Sequence, residues 1–295
     1  MSELVRHIGP DTDVPAGDIG VGGREIGYMY GAYKRIQNRT DGALTGKGVA
    51  YGGSHVRIEA TGYGAVYFIQ QMLARADKEI RGMRAVISGS GNVATHVALK
   101  LLEESAIPLT LSDRQGYIYA QDGLSKEVIL AVQEAKEQQC ALSSLVLPSG
   151  CVYQEGVPWT AVAADMYIPS ATQNEISLKD AEAIVRHGAL LVAEASNMPT
   201  SLEGVALFQK AGVLFGPAKA VNAGGVAVSG LEMAQNAGRI AWSATDVDLK
   251  LRAIMEKIHT TCVEYGEDQG GVDYVKGANI GGFVRVFLAM KQLGW

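Results

Sequence analysis

The most informative segment of the 295-residue chain is Arg84-Ala-Val-Ile-Ser-Gly-Ser-Gly-Asn-Val-Ala94. Residues 84–88 form a short apolar run rich in β-forming side chains, which predicts a strand. The next residues follow the G-x-G-x-x-A pattern, and apolar side chains then recur at helical spacing through Leu102. A second apolar run, residues 107–111, predicts another strand. The segment therefore indicates a β-α-β unit with parallel strands and a right-handed crossover.

Strands and helices continue to alternate along the chain. The same patterns predict three helices, over 127–137, from the capping box 177–180 to Gly188, and starting in the segment 200–203. They predict strands in 161–168, 189–193 and 213–215. We expect an α/β fold with a doubly wound parallel sheet, a Rossmann-like dinucleotide-binding domain. Outside this region, a helix is expected through Tyr33. The chain is helical again after Gly225, with Thr245-Asp-Val-Asp248 as a helix cap.

The glycine-rich turn between the first strand and helix predicts a dinucleotide site. Its first glycine permits a tight turn, its second lets a pyrophosphate approach the backbone, and its alanine keeps the helix close to the sheet. The helix N-terminus adds free N–H groups and a positive dipole end. The alternative is a tight β-α turn that binds nothing. We predict that the cofactor-binding residues here are Gly89, Ser90, Gly91, Asn92, Val93 and Ala94.

The segment Ser112-Asp-Arg114, at the end of the second strand, is where the adenosine ribose would be recognised. Asp113 lies about twenty residues beyond the glycines, where an acid accepts hydrogen bonds from the 2′-OH, and this favours NAD. Ser112 and Arg114 could instead hold a 2′-phosphate, which favours NADP. A solvated turn is a third interpretation. The sequence leaves the choice open, with a slight preference for NADP because Ser112 and Arg114 flank the ribose position.

The composition excludes several classes of protein. The net charge of −5 argues against a nucleic-acid binder, which normally has a basic patch. No apolar run approaches the ~18 residues of a membrane span, and the first residues lack the apolar core of a signal peptide. We therefore expect a cytoplasmic protein without a membrane partner. The three cysteines are far apart, without the spacing of a zinc site or a disulfide framework, so no metal is expected.

Six longer strings in the chain are too specific to arise by chance. They are Asp11-Thr-Asp-Val-Pro-Ala-Gly-Asp-Ile-Gly-Val-Gly-Gly-Arg-Glu-Ile26, Glu59-Ala-Thr-Gly-Tyr-Gly64, Ala171-Thr-Gln-Asn174, Asn197-Met-Pro-Thr200, Lys219-Ala-Val-Asn-Ala-Gly-Gly-Val226 and Ser229-Gly-Leu-Glu-Met-Ala-Gln-Asn236. With them, the chain resembles the hexameric glutamate dehydrogenases of bacteria and lower eukaryotes from Ser2 to Trp295. The resemblance implies interconversion of glutamate with 2-oxoglutarate and ammonium, using NADP or NAD, by a homo-oligomer.

The resemblance also implies roles for individual residues. Asp18 matches the catalytic acid/base of the family, and a carboxylate can supply the proton shuttle that amine addition and water loss at a carbonyl need. Without the resemblance, Asp18 would be interpreted as a turn or cap residue. Thr61 matches the residue that hydrogen-bonds the nicotinamide carboxamide, and Asn197 and Asn222 match asparagines that line the cofactor and substrate cleft. Ser229 matches the hydroxyl that holds the side-chain carboxylate of the substrate. Taken alone, the asparagines suggest Asx turns and Ser229 a helix N-cap.

The chain also departs from the family. Its lysines for catalysis and for substrate carboxylate binding lie upstream, the catalytic one in a Pro-x-Gly-Gly-x-Lys-Gly-Gly motif, and no such motif occurs in this chain. Met1 falls where the family is already inside its first domain, so we expect most of the substrate domain to be absent. Lys47 is a nearby cation and a possible contact for an anion, but we interpret it as a solvated surface lysine without a catalytic role.

The resemblance divides the chain into three parts. Residues 1–52 are expected to be a remnant of the substrate and oligomerisation domain, residues 53–270 the dinucleotide-binding domain, and residues 271–295 a helix that returns to the substrate domain. The apolar faces of the first and last parts would then be partly exposed and favour association. The residues of these faces are Ile26, Tyr28, Tyr30, Phe283, Val286, Phe287 and Met290.

Three functions remain open at this point. The first is glutamate dehydrogenase, with weak or no turnover by the chain alone because the lysine motif is absent. The second is a non-catalytic dinucleotide-binding fragment or subunit. The third is a dehydrogenase of leucine, valine or phenylalanine, whose pocket would be apolar where the second carboxylate of glutamate binds. Ser229 argues against the third.

Overall fold

The computed structural model describes residues 1–18, 20–268 and 270–295. Ile19, which belongs to the string at residues 11–26, lies outside the described residues. The helices are α1 Gly23–Gln37, α2 Ala60–Arg75, α3 Asn92–Glu103, α4 Lys126–Glu137, α5 Leu178–Arg186, α6 Leu202–Lys210, α7 Ala218–Val221, α8 Gly224–Gly238, α9 Ala244–Gly266 and α10 Tyr274–Leu293. The strands are β1 Arg84–Ile87, β2 Ile107–Pro108, β3 Thr110–Ser112, β4 Gly116–Ala120, β5 Cys151–Glu155, β6 Met166–Ile168, β7 Leu191–Ala193, β8 Leu214–Gly216, β9 Glu267–Asp268 and β10 Gly271–Val272.

The chain forms two compact units. The first, here called the N-terminal unit, comprises Met1–Ala60 and Gly224–Ile254, and the second, the sheet unit, comprises Thr61–Ala223 and Met255–Trp295. This grouping follows contacts within the chain. It does not delimit the domains of the family, so the sequence-based division at residues 52 and 270 stays a prediction.

The sheet unit is built on a five-stranded parallel sheet in the order β2-β1-β6-β7-β8. Strands β6 and β7 are buried along their whole length, as expected of parallel strands that helices cover on both faces. The chain moves outward from β1 to β2 and then returns to place β6 on the other side of β1. The carboxyl ends of β1 and β6 therefore form the topological switch point of the sheet, where ligands bind in such folds. The predicted fold class is confirmed.

A second, antiparallel sheet of three strands was not predicted from the sequence. Strand β4 lies between β3 and β5, with Leu111 opposite Ile118 and Ile118 opposite Tyr153. The prediction treated residues 107–111 as one strand, but Leu109 interrupts it, so that β2 joins the parallel sheet and β3 joins the antiparallel one. The first strand of this sheet, β3, ends at Ser112, which is the first residue of the segment that was expected to bind ribose.

The observed helix starts confirm two of the predictions and correct a third. Helix α6 begins inside the predicted segment 200–203, where Ser201 is the N-cap and its hydroxyl accepts from Gly204 N at 3.2 Å. Helix α9 begins at Ala244, because Ser243 Oγ accepts a hydrogen bond from Asp246 N at 3.1 Å, so the predicted cap at residues 245–248 is wrong. The predicted capping box at α5 is confirmed, with Ser177 and Asp180 capping each other.

Some of the side chains predicted to be exposed are in fact buried. Ile26 and Tyr30 are 1% and 4% exposed, because they pack with Tyr33, Leu44 and Val5 in the core of the N-terminal unit. For these two residues the predicted exposure is wrong. It is confirmed for the remaining five: Tyr28, Phe283, Val286, Phe287 and Met290.

Two further features bear on the expectations from composition. Within the described parts of the chain, no helix combines the length and apolar character needed to cross a bilayer. All three cysteines are free thiols, with Cys140 exposed, Cys151 partly exposed and Cys262 buried.

Helix α10 generates a first prediction. Its exposed apolar face includes the rings of Phe283 and Phe287, which stack at 5.7 Å, and association would remove these rings from water. We expect the average mass of the purified chain to rise with concentration in light scattering. The double substitution Phe283→Gln/Phe287→Gln should remove most of that rise. Val146→Gln is the control, because Val146 is exposed but lies outside this face. A wild-type chain that stays monomeric at high concentration would contradict the prediction.

His259 generates a second prediction, on the pH dependence of stability. It is buried in the sheet unit, with Nε2 at 3.0 Å from Tyr274 Oη and the ring of Phe68 against its own. Burial, with a smaller contribution from the charge of Arg75, lowers the pKa of His259 from 6.5 to about 4. Because the folded pKa is depressed, the unfolded chain binds the proton more readily. The contribution of His259 to stability is complete above pH ~6.5 and is lost as the pH falls toward 4.

The loss amounts to about 3 kcal/mol over that range. Urea unfolding at pH 7.5 and 4.5 should show that the free energy of unfolding of His259→Gln depends less on pH than that of the wild type. His55→Gln, at an exposed position, serves as the control. Identical pH dependence in the wild type and His259→Gln would refute this account of His259.

Candidate cofactor and substrate sites

The turn after β1 requires glycine at position 89 for two reasons. Gly89 has a φ of +87°, which L side chains rarely adopt, and a Cβ there would lie 2.9 Å from the carbonyl oxygen of Ser170. The turn is also tied to the next strand, because Gly89 N donates to Ser112 Oγ at 2.8 Å and Ser112 N donates to Gly89 O at 2.9 Å. Backbone and side-chain contacts thus fix the turn at the switch point of the sheet.

The N-terminus of α3 follows this turn without a side-chain cap. Gly91 occupies the N-cap position, and the first intrahelical hydrogen bond runs from Thr95 N to Gly91 O at 3.1 Å. The N–H groups of the three residues before Thr95 therefore have no partner within the helix. A Cβ on Gly91 would meet nothing within 4 Å, while Ala94 is fully buried against the sheet. This combination of open space and free N–H groups fits a pyrophosphate.

Asp113 uses its carboxylate to close a hairpin. Its Oδ1 accepts from Gln115 N at 2.9 Å and Gly116 N at 3.1 Å, and its Oδ2 accepts from Leu142 N at 3.0 Å. Three backbone donors therefore occupy most of the acceptor capacity of Asp113. Arg114 lies exposed in the adjoining turn. Both carboxylate oxygens of Asp113, one of the three predicted ribose-site residues, therefore already accept hydrogen bonds from the backbone.

The two candidate asparagines lie together at the carboxyl ends of β7 and β8. Asn222 Nδ2 donates to Asn197 Oδ1 at 2.7 Å. The buried carboxylate of Glu194, at the end of β7, accepts from Thr200 N at 3.3 Å and from Ala218 N at 2.9 Å. Burial raises the pKa of Glu194. Glu194 thereby joins the loop after β7 to the start of α7. Glu194 was not predicted from the sequence as a residue of this region.

Thr61 lies at the start of α2, at a point where α2 and α3 approach closely. A Cβ on the neighbouring Gly62 would lie 2.7 Å from Val97 N and 2.8 Å from His96 C, so only glycine permits this approach. Thr61 is half-buried. The close helix packing places Thr61 beside α3 within the sheet unit.

Ser229 belongs to a hydrogen-bonded cluster inside the N-terminal unit. It is the sixth residue of α8 and is buried, so it is not an N-cap. Its Oγ accepts from Arg57 Nε at 2.9 Å and from Thr45 Oγ1 at 3.2 Å. With two donors on its oxygen, Ser229 keeps its own proton free to donate elsewhere.

Arg57 brings a positive charge to this cluster. Burial lowers the pKa of Arg57, opposed by the charge of Glu232, yet a guanidinium stays protonated at any physiological pH. Among the described residues, no carboxylate forms an ion pair with Arg57. A half-buried guanidinium beside a hydroxyl that can donate is a suitable site for a carboxylate ligand. Arg57 was not predicted from the sequence, although it lies two residues before the string that begins at Glu59.

Lys47 is buried, so its interpretation as a solvated surface lysine is wrong. Its side chain is 1% exposed, and Nζ lies 2.7 Å from Glu232 Oε1, whose side chain is fully buried. Lys47 Nζ also donates to Leu44 O and lies 5.6 Å from the ring centre of Tyr30. No local sequence pattern indicates this pair, since its two members are 185 residues apart.

Asp18 also lies in the N-terminal unit. Its residue is exposed, and its backbone oxygen accepts from Val21 N at 2.8 Å. A Cβ on the preceding Gly17 would lie 2.4 Å from Val21 O, so glycine is required for this turn. The turn leaves the carboxylate of Asp18 accessible to solvent.

The parallel sheet, with a glycine turn and an open helix N-terminus at its switch point, defines a nucleotide-binding α/β protein. Residues 52–294 match the family model for glutamate/leucine/phenylalanine/valine dehydrogenase. Residues 1–35 match the model for the dimerisation domain of Glu/Leu/Phe/Val dehydrogenases. The chain belongs to the glutamate/leucine/phenylalanine/valine dehydrogenase family.

Individual relatives agree with this assignment. The chain is 49% identical over 296 residues to the NADP-specific glutamate dehydrogenase of Escherichia coli (strain K12), covering 100% of this chain and 66% of that protein. It is 48% identical over 297 residues to a glutamate dehydrogenase of Bacteroides thetaiotaomicron, covering 100% and 67%. The crystal structure of Plasmodium falciparum glutamate dehydrogenase superposes with a TM-score of 0.95 at 44% identity, covering 100% and 64%. The chain thus spans about two thirds of the length of these relatives.

Proposed function

We propose that the chain serves as a glutamate dehydrogenase, which converts L-glutamate reversibly to 2-oxoglutarate and ammonium with NADP or NAD as hydride acceptor. The observation that carries this proposal is the cluster of Arg57, Ser229 and Thr45. It offers a cation and a hydroxyl proton to a carboxylate, and the side chains of leucine, valine and phenylalanine have none. Within the family, the cluster therefore favours glutamate as the substrate.

The bound cofactor would supply the site that accepts or donates the hydride. The chain would hold its pyrophosphate on the free N–H groups of Asn92, Val93 and Ala94, in the space that Gly91 leaves open. Thr61 would bind the carboxamide, and the Asn197–Asn222 pair would present amide groups beside it. Asp18 would move protons to and from the amine and the carbonyl oxygen, as an accessible carboxylate can.

Of the two cofactors, we favour NADP. The carboxylate of Asp113 already accepts three backbone N–H groups, which weakens the case for a bond to a ribose 2′-OH. Ser112 retains a hydroxyl proton, and Arg114 is exposed, so both can meet a 2′-phosphate. The E. coli relative is named as NADP-specific.

The assembly and location of the protein are part of the same proposal. We propose a homo-oligomer, the family's hexamer, in the cytoplasm, with residues 1–52 and 271–295 belonging to the substrate and oligomerisation domain and 53–270 to the cofactor domain. The match of residues 1–35 to a dimerisation domain and the exposed apolar face of α10 support an oligomer.

A second candidate function is dinucleotide binding without turnover. It requires only the cofactor site, and the glycine turn and the free N-terminus of α3 both lie in the sheet unit. The two candidates share the cofactor site and differ only in turnover.

Cofactor binding is tested first, at Gly91. Gly91→Val should weaken NADPH binding by about tenfold or more, because the side chain enters space that the pyrophosphate needs and costs at least ~1.4 kcal/mol. The thermal midpoint should stay within a few degrees, since a Cβ at this position meets no protein atom. NADPH fluorescence titration measures the affinity. Gly282→Ala, equally unobstructed but in α10, is the control. Unchanged affinity in Gly91→Val would remove the proposed phosphate site.

Turnover then separates the two candidates. The chain is assayed for glutamate oxidation alone and after addition of the segment that precedes the matched region in the E. coli relative. Turnover under either condition, lost in Asp18→Asn while NADPH still binds, supports the dehydrogenase. NADPH binding with no turnover under both conditions supports the second candidate.

The choice of cofactor is tested at Arg114. Arg114→Gln should lower the affinity for NADP by about tenfold while leaving the affinity for NAD unchanged, because only NADP carries the phosphate that a guanidinium binds. Arg81→Gln, another exposed arginine of the sheet unit, is the control. Equal losses for both cofactors would contradict a role for Arg114 in phosphate recognition.

A further inference from the structure

The buried ion pair of Lys47 and Glu232 lies beside the Arg57–Ser229 cluster and has no assigned role. Both side chains are almost completely removed from water, at 1% and 0% exposure, with Nζ and Oε1 separated by 2.7 Å. Burial of two charges is costly unless further hydrogen bonds satisfy them, and an apolar pair of similar volume is often as stable. The need for a stable core does not by itself explain why charges stand here.

Glu232 also accepts hydrogen bonds from the backbone of the turn that carries Lys47. Its Oε1 also accepts from Lys47 N at 3.3 Å, and its Oε2 accepts from Gly46 N at 3.0 Å. Thr45, in the same turn, donates to Ser229, which lies one helical turn before Glu232 on α8. Glu232 therefore fixes the turn from which Thr45 reaches Ser229.

The charges of this region also act on Arg57. Glu232 is the carboxylate whose charge favours the protonated form of Arg57. Without a nearer partner, a buried carboxylate at this position would attract the guanidinium and compete with any ligand carboxylate for it. Lys47 supplies that nearer partner.

From this arrangement we infer that Lys47 is a specificity-determining residue of the proposed carboxylate site: its ammonium group neutralises Glu232 and so reserves Arg57 and Ser229 for the second carboxylate of a dicarboxylic substrate. This inference rests on the proposed function. Lys47 acts through Glu232 and touches neither substrate nor cofactor in this role.

We expect substitutions of Lys47 and of Glu232 to change the preference for a dicarboxylate ligand in opposite directions. Lys47→Met leaves the charge of Glu232 uncompensated, so preference for a dicarboxylate should fall by about tenfold. Glu232→Gln removes the competing charge and leaves two cations, so the same preference should be retained or rise. In Lys47→Met/Glu232→Gln both charges are gone, while the amide oxygen of glutamine can still accept from the turn at Gly46 and Lys47. The preference should therefore return to within about threefold of the wild type. A merely structural role would instead change the preference in the same direction in both single variants.

The measurement uses the full 295-residue chain with saturating NADPH and two ligands, 2-oxoglutarate and 2-oxopentanoate. The second ligand has the same carbon chain but lacks the distal carboxylate, so the ratio of the two dissociation constants in calorimetry isolates recognition of that group. Circular dichroism confirms folding of each variant. If Lys47→Met does not fold, Glu232→Gln and the double variant still decide the sign.

Arg57→Met separates failure of the inference from failure of the proposed function. Loss of the preference in Arg57→Met, together with an unchanged preference in Lys47→Met or a fall in Glu232→Gln, overturns the inference alone. A preference that survives in Arg57→Met, or a wild type that binds neither ligand, overturns the proposed carboxylate site and the inference with it.

Discussion

Carboxylates that accept backbone N–H groups hold the loops on which the candidate sites depend. Taking a carboxylate out of water is unfavourable unless donors replace the lost solvent, and backbone amides in a loop need acceptors for the same reason. Each such carboxylate therefore satisfies two needs at once and fixes the local chain. Among the described residues, carboxylates near the candidate sites that accept from two or three backbone donors include Asp113, Glu175, Glu194 and Glu232.

In the sheet unit, these anchors act where parallel strands end. The strands bring their carboxyl ends to one edge, but the loops beyond them have no ladder of their own. Glu175 holds the loop after β6 through Ala171 N and Thr172 N, and Glu194 holds the loops after β7 and β8. Burial raises the pKa of both carboxyl groups, which their backbone donors counteract. The asparagine pair is thus carried by loops with a fixed backbone.

The features that could be predicted from the sequence are those that depend on residues close together along the chain. The turn at Gly89 and the parallel sheet follow from glycine spacing and apolar periodicity within short windows, and both were predicted correctly. Burial of Lys47 was missed because its partner Glu232 is 185 residues away and each residue alone is typical of a surface. Arg57 was missed for the same reason, since its meaning depends on Ser229, 172 residues further along. The split of residues 107–112 between two sheets depends on pairing with β4, which no local pattern specifies.

Electrostatics in the N-terminal unit leads to a consistent view of substrate choice. Lys47 and Glu232 cancel, so the charge that remains next to Ser229 is that of Arg57. Thr45 and Arg57 both donate to Ser229, which turns the hydroxyl into a donor that is directed away from them. A guanidinium and a donating hydroxyl complement one carboxylate, and an apolar side chain placed there would leave both without a partner. Because an unpaired buried charge is penalised more than a missing apolar contact, the carboxylate site that we propose here would discriminate against apolar amino acids more strongly than it would attract glutamate.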